Sequence, residues 1–226
     1  MSRQLLHKVY AGEFPRPTAE GLYLETENLL IVSTPWGNKD ALKEMTQSLR
    51  DCFAMTNADQ EATSPFPKLP GLSPLESNLR TATLQANEVV FRKFNKDAYT
   101  TSCESLIIGF NQSEMAWIQL GQPHLLMIRG GSILPLQIAF DFGVDYGSET
   151  PMPSRLLGVE RALDLDVKSL AIQPEDILVM ICRSTIPGPF FNQNLKGLSP
   201  TEVLNQLFSA AATFAPKVPF WIGVFG

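Results

Sequence analysis

From Ser105 to Phe140 the chain carries four short apolar segments in close succession, 105–110, 115–120, 124–128 and 133–140, with turn sequences such as Asn111-Gln-Ser and Gly130-Gly131 between them. Short apolar runs punctuated by turn residues read as an antiparallel meander. This block constrains the fold more than any other part of the sequence. Its flanks add helices in blocks rather than one for each strand, which favours a layered α+β fold over a doubly wound parallel sheet.

The flanking elements follow from periodicity and capping. Leu22-Tyr-Leu24, a polar turn at 26–28 and Leu29-Leu-Ile-Val32 predict a hairpin ending in a buried strand. Over 39–55, Leu42, Met45, Leu49, Cys52 and Phe53 recur at helical spacing, with Asn38 as the expected N-cap. Three prolines make 57–72 a loop. Ser73-Pro-Leu-Glu76 and Ser199-Pro-Thr-Glu202 are capping boxes with proline at the first helical position. They predict helices to about Phe94 and Thr213. Ile177–Cys182 and Phe220–Phe225 read as buried strands, and 1–226 as a single domain.

Composition removes several functions. A net charge of −5 and a pI near 5.1 leave no basic patch for nucleic acid. No apolar run reaches the roughly 20 residues of a membrane span, and the N-terminus lacks a secretory signal pattern, so a cytoplasmic protein is expected. Cys52, Cys103 and Cys182 form no CxxC pair, and only His7 and His124 are present, which opposes a zinc site. No cofactor is expected.

Several stretches, in this order, resemble the type 2C (PPM) metal-dependent protein phosphatases. Val32-Ser-Thr-Pro-Trp36-Gly-Asn38 is similar to Val-Ala-Asp-Gly-Met-Gly-Gly, and Arg16-Pro-Thr-Ala-Glu-Gly21 to Arg-x-x-Asn-Glu-Asp. Trp117-Ile-Gln-Leu-Gly121-Gln-Pro-His124 through Arg129-Gly130 resembles Val-Gly-Asp-Ser-Arg-x-Tyr-Leu-x-Arg-x-Gly. Leu156-Leu-Gly158 is similar to the family's Leu-Gly segment, and Pro174-Glu-Asp176 through Arg183-Ser184 to Pro-Gly-Asp-x-Leu-Leu-Leu-Cys-Ser-Asp-Gly. Lys217-Val218-Pro219 stands at the Asp-Asn-x-Thr motif. The resemblance implies two stacked antiparallel β-sheets flanked by helices, over roughly residues 10–225.

It also implies a two-metal site, and there the sequence departs. Phosphoester hydrolysis by such a site needs carboxylates around hard divalent cations, yet the corresponding positions read Gly21, Thr34, Arg183 and Val218. A guanidinium at 183 within about 4 Å of a divalent ion would repel it by several kcal/mol, even at an effective dielectric of about 20. Pro35 and Asn38 replace the glycines of the turn. The expectation is a metal-free pseudophosphatase, a binding or regulatory module in phosphorylation signalling with a protein partner. Arg16, Gly21, Thr34, Trp36, His124, Asp141, Arg183 and Val218 would line its vestigial cleft, where Arg16 and Arg183 are placed to hold a phosphate without hydrolysing it. Phe66, Leu69, Phe190 and Phe191 are the expected loop anchors for a partner. The competing expectation is a hydrolase rebuilt without metals, or with one, on Asp141, Glu20 or Cys182.

Overall fold

The apolar segments form strands in two five-stranded sheets whose neighbours are all antiparallel. The structure is a computed structural model that describes residues 3–59, 64–140, 155–186 and 188–226. The first sheet contains β1 (Leu5–Tyr10), β6 (Pro123–Arg129), β7 (Ser132–Gln137), β9 (Ile177–Cys182) and β10 (Phe220–Phe225), in the order β1-β10-β9-β6-β7. The second contains β2 (Glu20–Leu24), β3 (Leu29–Trp36), β4 (Ser102–Phe110), β5 (Glu114–Leu120) and β8 (Lys168–Ala171), in the order β2-β3-β4-β5-β8. The described helices are α1 (Asp40–Ala58), α2 (Pro74–Val90) and α3 (Pro200–Phe214).

Alternation along each strand separates the core into layers. Leu178, Met180 and Cys182 of β9 face the second sheet and pack with its Leu106 and Ile108 and with Trp221 and Phe225 of β10 in their own sheet. Val179 and Ile181 face the other way, against Leu204, Leu207 and Ala211 of α3. On the far side, Met45, Leu49 and Phe53 of α1 and Leu79 and Ala82 of α2 cover Ile31, Ile107 and Ile118. Each buried Val, Leu, Ile, Met or Phe among them contributes roughly 1.5–3 kcal/mol. The result is the predicted sandwich, two sheets between helices.

Both capping boxes form: the Ser73 and Ser199 hydroxyls accept from the Glu76 and Glu202 amides, and each glutamate reaches back to its serine's amide. At α1 the predicted cap is displaced by one residue. Lys39 holds the N-cap position without a side-chain bond, while Asn38 Oδ1 accepts from Asp40 N at 2.9 Å in an Asx turn. α2 widens into a π-turn over Phe91–Asn95, so the helical pattern predicted to Phe94 is present but irregular at its end. β1 and β8 escaped the sequence reading. Both are edge strands with many exposed positions, so neither shows an uninterrupted apolar pattern.

Two of the family-like stretches prove to be one structural device. Arg129 grips Asp176 with two bonds, Nε to Oδ1 at 2.8 Å and Nη2 to Oδ2 at 2.6 Å, and the Gln173 amide donates to Oδ2 at 2.7 Å. Burial acts to raise the Asp176 pKa, but the Arg129 and Gln173 bonds outweigh it and hold the carboxyl below its ordinary value. A depressed folded-state pKa means that this stabilisation is complete above the unfolded-state pKa and is lost as pH falls through the folded-state value. Asp176→Asn is therefore expected to lower stability at pH 7 while flattening its decline below about pH 4, read from denaturant midpoints across pH.

Leu157-Gly158 is held in a similar way. Leu157 bridges to Cys103, and the Asn87 and Asn95 carboxamides bond the main chain around Gly158. Gly158 has φ +90° and lies so close to Val90 that an added Cβ would sit 2.3 Å from Cγ1. Only glycine fits that approach.

Candidate functional site

One end of the space between the sheets gathers most of the predicted residues. On β3 and β4, Thr34 stands directly opposite Glu104 and Trp36 opposite Ser102. Cys182 at the end of β9 stands opposite both Trp221 of β10 and Pro123 of β6. Opposed residues in an antiparallel pair share a face. Thr34, Glu104, Cys182 and Trp221 thus close the same end of the inter-sheet layer.

Residues 11–19 cross this end and deliver Arg16. The crossing is fixed by Tyr10 Oη donating to Pro216 O at 2.8 Å and Glu13 N donating to Lys217 O at 2.7 Å. Gly12, at φ +59°, packs so tightly that a Cβ would lie 2.4 Å from Pro219 N. Arg16 Nη2 then meets Glu104 Oε2 at 2.8 Å, and Nη1 donates to Gln122 Oε1. Trp36 Nε1 donates to Glu104 Oε1 at 2.9 Å, and the guanidinium lies over the Trp36 ring. Arg16 and Glu104 side chains are 5% and 0% exposed, so the pair is nearly cut off from solvent screening. Gly121 lets the main chain press on Glu104, where a Cβ would stand 2.5 Å from Cγ.

Gly21 lies beside this network but faces a ring. A Cβ built at Gly21 would be 2.7 Å from Trp221 Cζ2 and 2.9 Å from Leu5 Cδ2. The indole fills the space into which a side chain at 21 would project. Thr34 Oγ1 is buried and makes no hydrogen bond of ordinary geometry, although it lies near enough to Cys182 to favour the thiolate slightly. Burial dominates at Cys182 and, with Glu104 adding to it against Arg16 and Thr34, pushes the thiol up to about 12. It is a protonated, inert sulfur at neutral pH.

Arg183 and His124 are not part of this end. Following Ile181, which faces α3, Arg183 lays its guanidinium over Phe220 with Cζ 5.4 Å from the ring centroid, and Nη1 reaches Ala211 O at 3.4 Å. Burial lowers its pKa to about 10, leaving it cationic at neutral pH. The carbonyl end of α3 and the aromatic face favour that charge. The predicted partnership of Arg183 with Arg16 is therefore corrected, since strand alternation puts them on opposite faces of the first sheet.

His124 likewise faces outward, because its neighbour Leu125 faces inward. Its Nδ1 accepts from Ala139 N at 3.0 Å, so Nε2 carries the proton and donates to Arg183 O at 2.9 Å. It pins main chain and does not join Trp36 in the cleft.

Val218 is half-buried in the turn after α3, its amide donating to Ala215 O. Asp141 lies outside the described residues. Glu20 is exposed at the start of β2. Of the predicted loop anchors, Phe190 is buried, Phe66 and Phe191 are half-buried against the core, and Leu69 is 46% exposed. Packing of the loops accounts for the three phenylalanines.

Glu104, Gln122 and Trp221 were missed by the sequence reading, although they dominate the site. Gln122 carried a signal, since it follows Gly121 where the compared stretch has Gly-Asp. Glu104 carried only its place beside an apolar run. Among the described residues no group of three or more His, Cys, Asp or Glu is arranged to hold a metal ion.

No family model matches the chain, and no curated protein sequence does. Solved structures do match over nearly the whole length. The PPM Ser-Thr phosphatase MsPP from Mycobacterium smegmatis, in complex with cacodylate, superposes with a TM-score of 0.70 at 17% identity, covering 98% of this chain and 97% of that one. The Mycobacterium tuberculosis serine/threonine phosphatase PstP/Ppp gives a TM-score of 0.67 at 14% identity, covering 99% and 97%. Serine/threonine phosphatase Stp1 from Staphylococcus aureus gives 0.68 at 13%, covering 100% and 95%. The chain has the fold of these PPM phosphatases.

Proposed function

We propose that the protein is a non-catalytic relative of the PPM phosphatases that acts in the cytoplasm as a protein-binding, regulatory module in phosphorylation signalling. The observation that carries this reading is the chemistry at the end of the sandwich. Gly21 is sealed by the Trp221 ring, Thr34 offers a hydroxyl, Arg183 is turned to α3 and Val218 is aliphatic. The one acid described there, Glu104, bonds Arg16 and Trp36. These side chains do not fit a pair of divalent cations, which take carboxylate and water oxygens in dense shells.

The signalling role is carried by likeness of fold, which hosts function without dictating it. One structural neighbour is described as PppA, a key regulatory component of T6SS in Pseudomonas aeruginosa. The acidic net charge opposes nucleic acid as the partner. Among the described residues no helix is long and apolar enough to cross a membrane.

Incubation with p-nitrophenyl phosphate and phosphopeptides in Mn²⁺ or Mg²⁺ is expected to give no turnover above buffer, and Mn²⁺ calorimetry no binding at micromolar affinity. Turnover, with or without metal, that disappears in Asp141→Asn would instead favour the rebuilt hydrolase.

A further inference from the structure

Trp36 forms one wall of the cleft, bonding Glu104 and lying under the Arg16 guanidinium. It is also the last residue of β3, paired with Ser102. Beyond it the chain turns at once into α1, so the strand ladder alone does not fix how the turn closes. Gly37, at φ +89°, seats the turn on neighbouring main chain, where an added Cβ would run into Thr100 O. Asn38 N then donates to Thr101 Oγ1 at 3.3 Å. The wall therefore rests on Thr100 and Thr101, which belong to no strand or helix.

Asn95 fixes those two residues. Its Oδ1 accepts from Thr100 N at 2.8 Å and from Thr101 N at 3.0 Å, and its Nδ2 donates to Thr101 O and Gly158 O, each at 2.6 Å. A carboxamide offers two donors and two acceptor lone pairs, so Asn95 is used to capacity. It is 2% exposed, and water cannot replace a bond that is lost there. Asn95 also closes the π-turn at the end of α2. Such a turn inserts one residue into a helix, and one residue is a rotation of roughly 100°. In a regular α-helix position 95 would be swung by that angle away from Thr100, Thr101 and Gly158. The irregular end of α2 thus aims the carboxamide at the segment on which Trp36 rests.

We infer that Asn95 is the positioning residue of the candidate site: it holds the seat at Thr100 and Thr101 and, through that seat, the Trp36 wall against Glu104. Its action on the cleft runs through the main chain of 100–101. The inference rests on the reading of this end of the sandwich as the binding site, and it names the group that sets the shape of that site.

The test uses the full chain labelled with ¹⁵N-tryptophan, the Trp36 indole N–H being assigned by its loss in Trp36→Phe. Asn95→Ala is expected to displace that resonance and to speed exchange of its proton at least about ten-fold. Thr101→Val keeps the shape of the side chain but removes the acceptor for Asn38 N, and is expected to displace the resonance as well. Asn87→Ala is the control. The Asn87 side chain bonds Gly158, Glu160 and Arg161 but neither Thr100 nor Thr101, so its loss is expected to leave the Trp36 signal in place. An unmoved Trp36 resonance in Asn95→Ala overturns the inference. So does an equal displacement in Asn87→Ala, which would mark general loosening. Should Asn95→Ala not fold, Thr101→Val decides, and an unmoved resonance there overturns the inference. The readout is conformational, so turnover of p-nitrophenyl phosphate would defeat the non-catalytic reading alone.

Discussion

Glu104→Ala is expected to lower the unfolding free energy by about 3–5 kcal/mol, the range for removing one partner of a buried ion pair. The alanine leaves the Arg16 guanidinium without its counter-charge in a place where its side chain is only 5% exposed, and it orphans the Trp36 indole N–H. An exposed pair would lose less than about 1 kcal/mol. The magnitude therefore separates a structural keystone from a surface decoration. Denaturant titration with a global fit of the slope provides the number. Removing both charges together, as in Arg16→Met with Glu104→Leu, is expected to recover much of the loss, because no uncompensated charge remains. If the single variant costs less than about 1 kcal/mol, solvent reaches the pair and the closed geometry of this end is wrong.

The second large effect concerns attempts to restore a metal site. Gly21→Asp places a Cβ 2.7 Å from the Trp221 ring, closer than real contacts allow, and a carboxylate beyond it in an apolar layer. Either the indole is expelled or the carboxylate is buried without a partner. The expected result is a loss of about 3 kcal/mol or more, combining overpacking with an unsatisfied charge, and no gain in Mn²⁺ affinity. Thermal unfolding with and without Mn²⁺ decides it: a variant that melts higher in Mn²⁺ would show that the ring yields and that the site accepts a cation.

The fold was legible because its determinants are local and repeated. The Ser73 and Ser199 boxes announce their helices, and the buried runs 105–110, 115–120 and 177–182 announce strands whose short links force antiparallel neighbours. β1 and β8 were not legible, since an edge strand pairs on one side only and need not be apolar. The site was legible in part. Arg16, Thr34 and Trp36 do come together, as the order of the motifs implied. Arg183 and His124 do not, because a shift of one residue along a strand reverses the face, and the linear comparison did not register which face each occupied. Glu104 and Trp221 became visible only in three dimensions. Glu104 lies 88 residues from Arg16 and Trp221 farther still, the two stand on different sheets, and their importance comes from what each meets across the gap.

The pairing of β1 with β10 has a consequence for how the chain acquires its structure. Leu5 lies opposite Phe225, so the first sheet is joined by contacts between residues far apart in sequence. On a ribosome, β2 to β5 and helices α1 and α2 can assemble as soon as they emerge, whereas β1 must wait, its own edge unmatched, until β10 has been synthesised. Closure of so long a loop is slow. The waiting N-terminal strand is thus the part of the nascent chain most in need of protection from mispairing.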